Sequence, residues 1–219
     1  TSLTSPESTS FVMHENQLKV GSLFTGIGGI DLGLSRAGMQ VIWQSENNPY
    51  ASQVLKKQWP DVPNLGDITR IDWAGVERPD LVCGGFPCQP VSVAGKRRGE
   101  TDERWLWPEF ARCLRELEPR YVLLENVPGL FSVDGGRLFG EVLGDLASLG
   151  YDAEWESIPA VALGAPHLRW RVFVVGYTNS FRRQRNNIEE QSITPNGREA
   201  LADSKGQRRE AWGADCSRP

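Results

Sequence analysis

The chain has 219 residues, 39% of them hydrophobic, which is enough for a buried core and excludes a short peptide or a fully disordered segment. Lys and Arg total 24 against 28 Asp and Glu, so the net charge is -4. A protein that holds nucleic acid mainly by bulk positive charge is therefore disfavoured. The apolar runs are far shorter than a membrane span, so we expect no membrane association.

The cysteines are few and show no C-x-x-C spacing; they are Cys83, Cys88, Cys113 and Cys216. This pattern predicts neither a disulfide framework nor a metal site, and it is typical of reduced thiols in the cytoplasm. We expect a cytoplasmic monomer that binds no metal.

Composition divides the chain into three parts. Residues 1–17 are rich in Ser and Thr and are predicted to be a disordered leader. Residues 18–176 alternate apolar runs with amphipathic stretches and are predicted to form the main domain. Residues 177–219 contain only four Leu, Ile, Val or Phe residues, too few for independent folding.

Strands and helices are predicted to alternate through the main domain. In chain order, the predicted strands are residues 18–24, 41–45, 81–83, 121–124, 153–159 and 172–177. The predicted helices are residues 30–37, 49–58 and two amphipathic stretches within 106–117 and 139–149. This order predicts an α/β fold with a mostly parallel, doubly wound, Rossmann-like sheet. In such sheets ligands bind beyond the carboxyl ends of the strands.

Residues suited to a nucleoside follow the first two predicted strands and occur again before the third. Glycines between Phe24 and Asp31 permit a sharp turn close to a ligand, although a tight turn alone is an alternative explanation. Glu46, about twenty residues on, can accept hydrogen bonds from ribose hydroxyls. The Gly66-Asp67-Ile68 segment can hold an adenine edge. Because Asp31 stands where the third glycine of G-x-G-x-x-G would be, a cofactor without phosphates is favoured.

Two reactive side chains follow the next two strands. Cys88 lies in a Gly- and Pro-rich loop at a strand end, a place suited to reaction rather than packing. Glu125 ends the neighbouring strand, so the two are expected at one edge of the sheet. An incidental small residue and a surface carboxylate are the alternative interpretations.

Together with His167-Leu-Arg169-Trp-Arg171 further along the chain, these motifs resemble those of the C5-cytosine DNA methyltransferases. The resemblance covers roughly residues 19–176 and is carried by Phe24-x-Gly-x-Gly-Gly, Glu46, Gly66-Asp67-Ile68, Gly85-Phe-Pro-Cys88-Gln-Pro, Glu125-Asn126-Val127 and His167-Leu-Arg169-Trp-Arg171.

The resemblance implies a methyltransferase-type fold that binds S-adenosylmethionine. The implied cofactor-binding residues are Phe24, Gly26, Ile27, Gly28, Gly29, Glu46, Asp67, Ile68 and Leu106. In this family the Cys88 thiolate would add to C6 of a flipped-out cytosine, which makes C5 nucleophilic. Glu125 would act at N3, and Arg169 or Arg171 would stabilise charge at O2.

The resemblance also implies that double-stranded DNA is the substrate. The implied DNA-binding residues are Gln89, Ser92, Lys96, Arg97 and Arg98. The last three form a basic run beside Cys88, where contact with phosphates is favoured over a merely solvated surface.

The sequence departs from the family pattern at two places. His167 replaces a common Gln, and we find neither the target-recognition region nor the C-terminal motif with its Gly-Asn pair. Residues 177–219 are therefore predicted to begin an incomplete target-recognition region. An RNA cytosine methyltransferase and a truncated, non-catalytic family member remain as alternatives.

Overall fold

Six β-strands and four α-helices alternate along the described part of the chain. The structure is a computed structural model, and it describes residues 17–87 and 105–178. The strands are β1 (Lys19–Leu23), β2 (Gln40–Ser45), β3 (Leu81–Gly84), β4 (Tyr121–Asn126), β5 (Tyr151–Pro159) and β6 (Trp170–Thr178). The helices are α1 (Gly29–Arg36), α2 (Pro49–Gln58), α3 (Trp107–Leu117) and α4 (Arg137–Ser148).

The strands form one mixed sheet in the order β2-β1-β3-β4-β6-β5. Strands β1 to β4 pair in parallel, as predicted, while β6 is antiparallel to both β4 and β5. Residues 160–169 between β5 and β6 are too few for a parallel crossover, which explains the antiparallel hairpin. The Rossmann-like α/β prediction is confirmed, with a larger antiparallel part than the alternation suggested.

One predicted strand boundary was wrong in a place that matters. The predicted fourth strand stopped at residue 124, whereas β4 continues through Glu125 and Asn126. These two residues pair with Phe173 and Val172 of β6. Ladder pairing therefore holds Glu125 at the end of β4, the strand end at which it was expected.

Local capping explains where the second helix begins. The Asn48 side chain accepts hydrogen bonds from the backbone N–H groups of Tyr50 and Ala51, each at 3.0 Å. Pro49 occupies the first helical turn, where its missing N–H costs nothing.

An aromatic cluster packs α3 against the sheet near the carboxyl ends of its strands. Trp107 and Phe110 are fully buried, and their rings lie 5.6 Å apart. Phe86, just after β3, contacts Trp105 and Trp107 at centroid distances of 5.5 and 5.4 Å. Each such ring contributes roughly 1.5–3 kcal/mol by burial, so the exit of β3 is firmly anchored.

The chain divides into two units, Thr1–Thr178 and Asn179–Pro219, and every described residue belongs to the first. Within the described ranges, no helix has the length and apolar character needed to cross a membrane.

Candidate functional site

A cleft of about 350 Å³ opens beyond the carboxyl ends of the first three strands. Five predicted cofactor-binding residues line it: Phe24, Glu46, Asp67, Ile68 and Leu106. Gly66, from the segment predicted to hold an adenine edge, also lines it, and four further lining residues were not predicted: Ser45, Asn47, Gly85 and Pro87. Each of them lies within three residues of a predicted site residue. Nearness in the sequence, rather than residue type, could therefore have identified them.

Phe24 lies where β1 ends, in an unusual backbone conformation. Its φ of 50° is in the left-handed region, which non-glycine residues seldom occupy outside functional turns. The ring stacks on Phe110 at a centroid distance of 6.3 Å and forms an apolar wall of the cleft. Gly26 and Gly28 continue the turn at φ 57° and 85°, a conformation that favours glycine.

The glycine turn and β2 are joined through the Glu46 carboxylate. Oε2 accepts a hydrogen bond from the Gly26 N–H at 2.7 Å, and Oε1 accepts one from the Asn48 N–H at 2.7 Å. Each oxygen keeps a second lone pair, so the carboxylate is oriented and can still accept two hydroxyl donors. Four predicted cofactor-binding residues do not line the cleft: Gly26, the exposed Ile27, Gly28, and Gly29, which is the first residue of α1.

Asp67 provides a second acceptor in the cleft. Its Oδ1 accepts hydrogen bonds from the Thr69 N–H at 3.0 Å and the Thr69 hydroxyl at 2.9 Å. These bonds lower the pKa of the Asp67 carboxyl below its ordinary value, so the group is ionised near neutral pH. Both bonds use Oδ1, which leaves Oδ2 to accept a donor from a ligand.

A buried polar network links α1 to the first two strands of the sheet. Asp31 is fully buried and accepts hydrogen bonds from the Ser22 hydroxyl and the Gln44 amide, each at 2.6 Å. Burial raises the pKa of the Asp31 carboxyl above its ordinary value. The Gln44 backbone in turn bonds the loop that carries Asp67, through Pro63 and Leu65 at 2.9 and 2.7 Å. In the sequence, Asp31 stood out only as a departure from the glycine spacing.

Glu125 forms an ion pair with Arg171 at the edge of the cleft. Arg171 Nε lies 2.6 Å from Glu125 Oε1, and the two side chains are only 25% and 26% exposed. Arg171 Nη1 also donates to the Trp170 carbonyl at 2.8 Å, which leaves Nη2 for a ligand. The neighbouring Gly85 leaves space beside Oε2, since a Cβ there would lie 2.6 Å from that oxygen.

The two candidate arginines are not equivalent in the structure. Arg171, in β6, contacts Glu125, whereas Arg169 lies in the exposed segment before β6 together with His167. Asn126 links the end of β4 to the loop after β3, because its Nδ2 donates to the Phe86 carbonyl at 3.1 Å.

Several predicted residues lie outside the described residues: Cys88, Gln89, Ser92, Lys96, Arg97 and Arg98. The described chain reaches Pro87, a lining residue of the cleft, immediately before Cys88. Among residues 17–87 and 105–178, no group of three or more His, Cys, Asp or Glu side chains could hold a metal ion.

Comparison with known proteins gives a consistent result. Residues 18–214 match the family model described as C-5 cytosine-specific DNA methylase. Type II methyltransferase M.NgoBI of Neisseria gonorrhoeae is 39% identical over 163 residues, which are 74% of this chain and 51% of that relative. Type II methyltransferase M.BsuFI of Bacillus subtilis is 39% identical over 156 residues, which are 71% of this chain and 38% of the relative.

A solved structure shares the fold. The crystal structure of a candidate DNA modification methyltransferase encoded within an E. coli prophage matches with a TM-score of 0.64 and 28% identity, over 76% of this chain and 48% of that one. The chain thus spans about half the length, or less, of the proteins it matches. Because the family model matches most of its length, the chain belongs to the C-5 cytosine-specific DNA methylase family.

Proposed function

We propose that the protein binds S-adenosylmethionine in the cleft and methylates C5 of a cytosine in double-stranded DNA, through a covalent bond between Cys88 and C6. The observation that carries the proposal is the Glu125–Arg171 pair, which adjoins the cleft at Gly85. A carboxylate suited to acid–base chemistry and a fixed cationic donor thus lie beside a nucleoside-sized cavity. Cys88 follows the lining residue Gly85 by three residues in the sequence.

The cleft suits this cofactor in size and charge. Its volume lies within the range of roughly 300–1,000 Å³ found for small-molecule sites. The described lining residues include two carboxylates, Glu46 and Asp67, and no Lys, Arg or His. This favours a cationic ligand without phosphates over a dinucleotide. When bound, S-adenosylmethionine supplies an electrophilic methyl group on a positively charged sulfur.

We assign the binding contacts from the geometry of the acceptors. The oriented Glu46 carboxylate would accept the two ribose hydroxyls, and Asp67 Oδ2 would accept the adenine amino group. Phe24 and Leu106 would cover the apolar faces of the nucleoside. The Gly26–Gly29 turn does not line the cleft and would act through Gly26, whose N–H holds the Glu46 carboxylate at 2.7 Å.

The residues of the base site would act together on the cytosine ring. A free Cys is only about 3% thiolate at neutral pH, so Cys88 needs an activated ring. Glu125 would donate a proton to N3 as the thiolate adds to C6, while Arg171 Nη2 would stabilise charge at O2. Loss of the C5 proton after methylation restores the C5–C6 double bond and releases Cys88.

Methyl transfer into DNA tests the proposal directly. The full chain would be incubated with S-adenosylmethionine carrying a radiolabelled methyl group and with unmethylated bacteriophage DNA long enough to contain many short target sites. We expect label in DNA that is recovered as 5-methyldeoxycytidine, and none with Cys88→Ser. Label recovered in another nucleoside would contradict the proposed chemistry.

The alternatives are distinguished by two further arms of the same experiment. RNA replaces DNA in the first, and cofactor binding without nucleic acid is measured by calorimetry in the second. Label in RNA alone would support an RNA cytosine methyltransferase. Cofactor binding with no label in either polymer would support a non-catalytic family member.

A further inference from the structure

Arg112, on α3, binds the backbone of the segment that carries Asp67. Its Nη2 donates to the Ile68 carbonyl at 2.8 Å, and its Nη1 donates to the Ile71 carbonyl at 3.1 Å. We propose that Arg112 is a positioning residue that fixes Asp67 for recognition of the adenine amino group, and so sets the preference of the cleft for adenine over other purines. This inference rests on the proposed function of the cleft.

Strand β2 holds the chain before Asp67, with the Ser45 hydroxyl donating to the Gly66 carbonyl at 2.8 Å, whereas Arg112 holds the short turn after Asp67. Ile68–Arg70 forms a 3-10 turn of three residues, closed by backbone bonds from Arg70 to Asp67 at 3.0 Å and from Ile71 to Ile68 at 3.4 Å. A turn this short is marginal on its own. The two carbonyls bound by Arg112 lie at its start and just beyond its end, so one planar guanidinium holds both.

The guanidinium is itself held firmly. Its Nε donates to Glu109 Oε2 at 2.8 Å, and Nη1 lies 3.4 Å from Glu116 Oε1, one turn further along α3. The group also lies over the Trp73 ring, 5.8 Å from its centroid, and Trp73 is buried. Arg112 therefore transmits the position of α3 and the core to the turn, rather than following the turn as it moves.

Helix α3 also contributes to the cleft at its beginning. Leu106, which precedes the first residue of α3, lines the cleft together with Asp67 and Ile68. The spacing between the apolar wall at Leu106 and the acceptor at Asp67 thus depends in part on α3 and on the Arg112 contacts that connect this helix to the turn.

The chemistry at Asp67 predicts a measurable selectivity. Adenine presents an amino donor at position 6, which an ionised carboxylate accepts, whereas hypoxanthine presents a carbonyl oxygen that the carboxylate repels. We expect at least about tenfold tighter binding of the adenine form by the wild type. A shift of the turn weakens this discrimination, because Asp67 Oδ2 accepts a hydrogen bond from the amino group only when it is correctly placed.

Calorimetric titration of the full chain with S-adenosylhomocysteine and S-inosylhomocysteine tests the inference. In Arg112→Met we expect the ratio of the two dissociation constants to fall to about twofold or less. Arg112→Lys keeps the positive charge but lacks the planar guanidinium that donates to both carbonyls. It should give an intermediate ratio of the two dissociation constants. Arg115→Met, on the exposed side of the same helix, is the matched control and should keep the wild-type ratio.

The result that would overturn the inference is a wild-type ratio retained in Arg112→Met, with both ligands weakened equally, since that is the effect of a purely structural residue. If Arg112→Met does not fold by circular dichroism, the ratio in Arg112→Lys decides in the same way. A wild type that binds both ligands equally would refute the Asp67 assignment and this inference, whereas a wild type that binds neither would refute the proposed function as well.

Discussion

Replacing Gly85 with Ala would place a methyl group against the Glu125 carboxylate, to which we assign the proton transfer at N3. The new Cβ would lie 2.6 Å from Glu125 Oε2, while the next atoms, of the same residue, are 3.6 Å or more away. Gly85 has no positive φ, so the substitution causes no backbone strain. The variant therefore acts on one oxygen, the atom on the side of Glu125 that is not paired with Arg171.

The size of the effect follows from the displacement. Ordinary contact with a Cβ begins at 3.4 Å, so Oε2 must retreat by about 0.8 Å. Misplacing a reacting group by roughly 1 Å costs about 100-fold in rate, equivalent to about 2.7 kcal/mol of barrier. Stability should change by less than about 1 kcal/mol, because the end of a side chain can move without opening the core.

Methyl transfer to DNA at saturating cofactor and DNA measures the rate, and urea unfolding measures stability. Gly144→Ala is the matched control, because a Cβ on that helical residue of α4 meets nothing within 4 Å. A double variant with Glu125→Gln adds a sharper criterion. If Gly85→Ala acts through Glu125, adding it to Glu125→Gln should lower the rate of methyl transfer little further. A rate within about threefold of wild type, or a further 100-fold loss in the double variant, would refute the reasoning.

Three further predictions concern the cofactor, the buried network and DNA. Glu46→Gln should weaken S-adenosylmethionine binding by about tenfold or more in calorimetry, because charge-assisted acceptance of ribose hydroxyls is lost. Asp31→Asn should remove a pH dependence of stability. Because burial raises the pKa of Asp31 in the folded state, the unfolded chain releases this proton first, and the unfolding free energy of the wild type should fall relative to Asp31→Asn as pH rises above about 4. Replacing Lys96, Arg97 and Arg98 together by Gln should weaken DNA binding across sequences and reduce its salt dependence, measured by fluorescence anisotropy.

Each of these predictions has a clear contrary result. Unchanged cofactor affinity in Glu46→Gln would remove Glu46 from the ribose contact. A difference between wild type and Asp31→Asn that stays constant, or that grows in favour of wild type with pH, would show that Asp31 is not held with a raised pKa. An unchanged salt slope would mean that the basic run does not contact phosphates.

Local signals in the sequence were sufficient for the helices and for much of the cleft. Residues 49–58 were predicted with the observed bounds of α2, because the Asn48 cap and Pro49 act within one turn. Phe24 and Glu46 were predicted because each lies where a strand ends, and the carboxyl ends of parallel strands meet at one edge of the sheet. Asp67 was predicted from the Gly66-Asp67-Ile68 segment alone.

Features that depend on distant pairing were not predictable in this way. The extension of β4 through Glu125 arises from pairing with β6, about fifty residues later in the chain. In the sequence, Arg112 shows only its helical neighbours Glu109 and Glu116; its contacts with Ile68 and Ile71 appear only when α3 packs against the turn. The same holds for Asp31, whose partners lie on two different strands.

Trapping of the covalent intermediate tests the central claim most directly. DNA containing 5-fluorocytosine would be incubated with the full chain and S-adenosylmethionine, because fluorine cannot leave as the proton does and the Cys88–C6 bond then persists. We predict a cofactor-dependent adduct that peptide mass spectrometry locates at Cys88, with none in Cys88→Ser. Methyl transfer to ordinary DNA without any such adduct, or an adduct that forms equally in Cys88→Ser, would contradict the account.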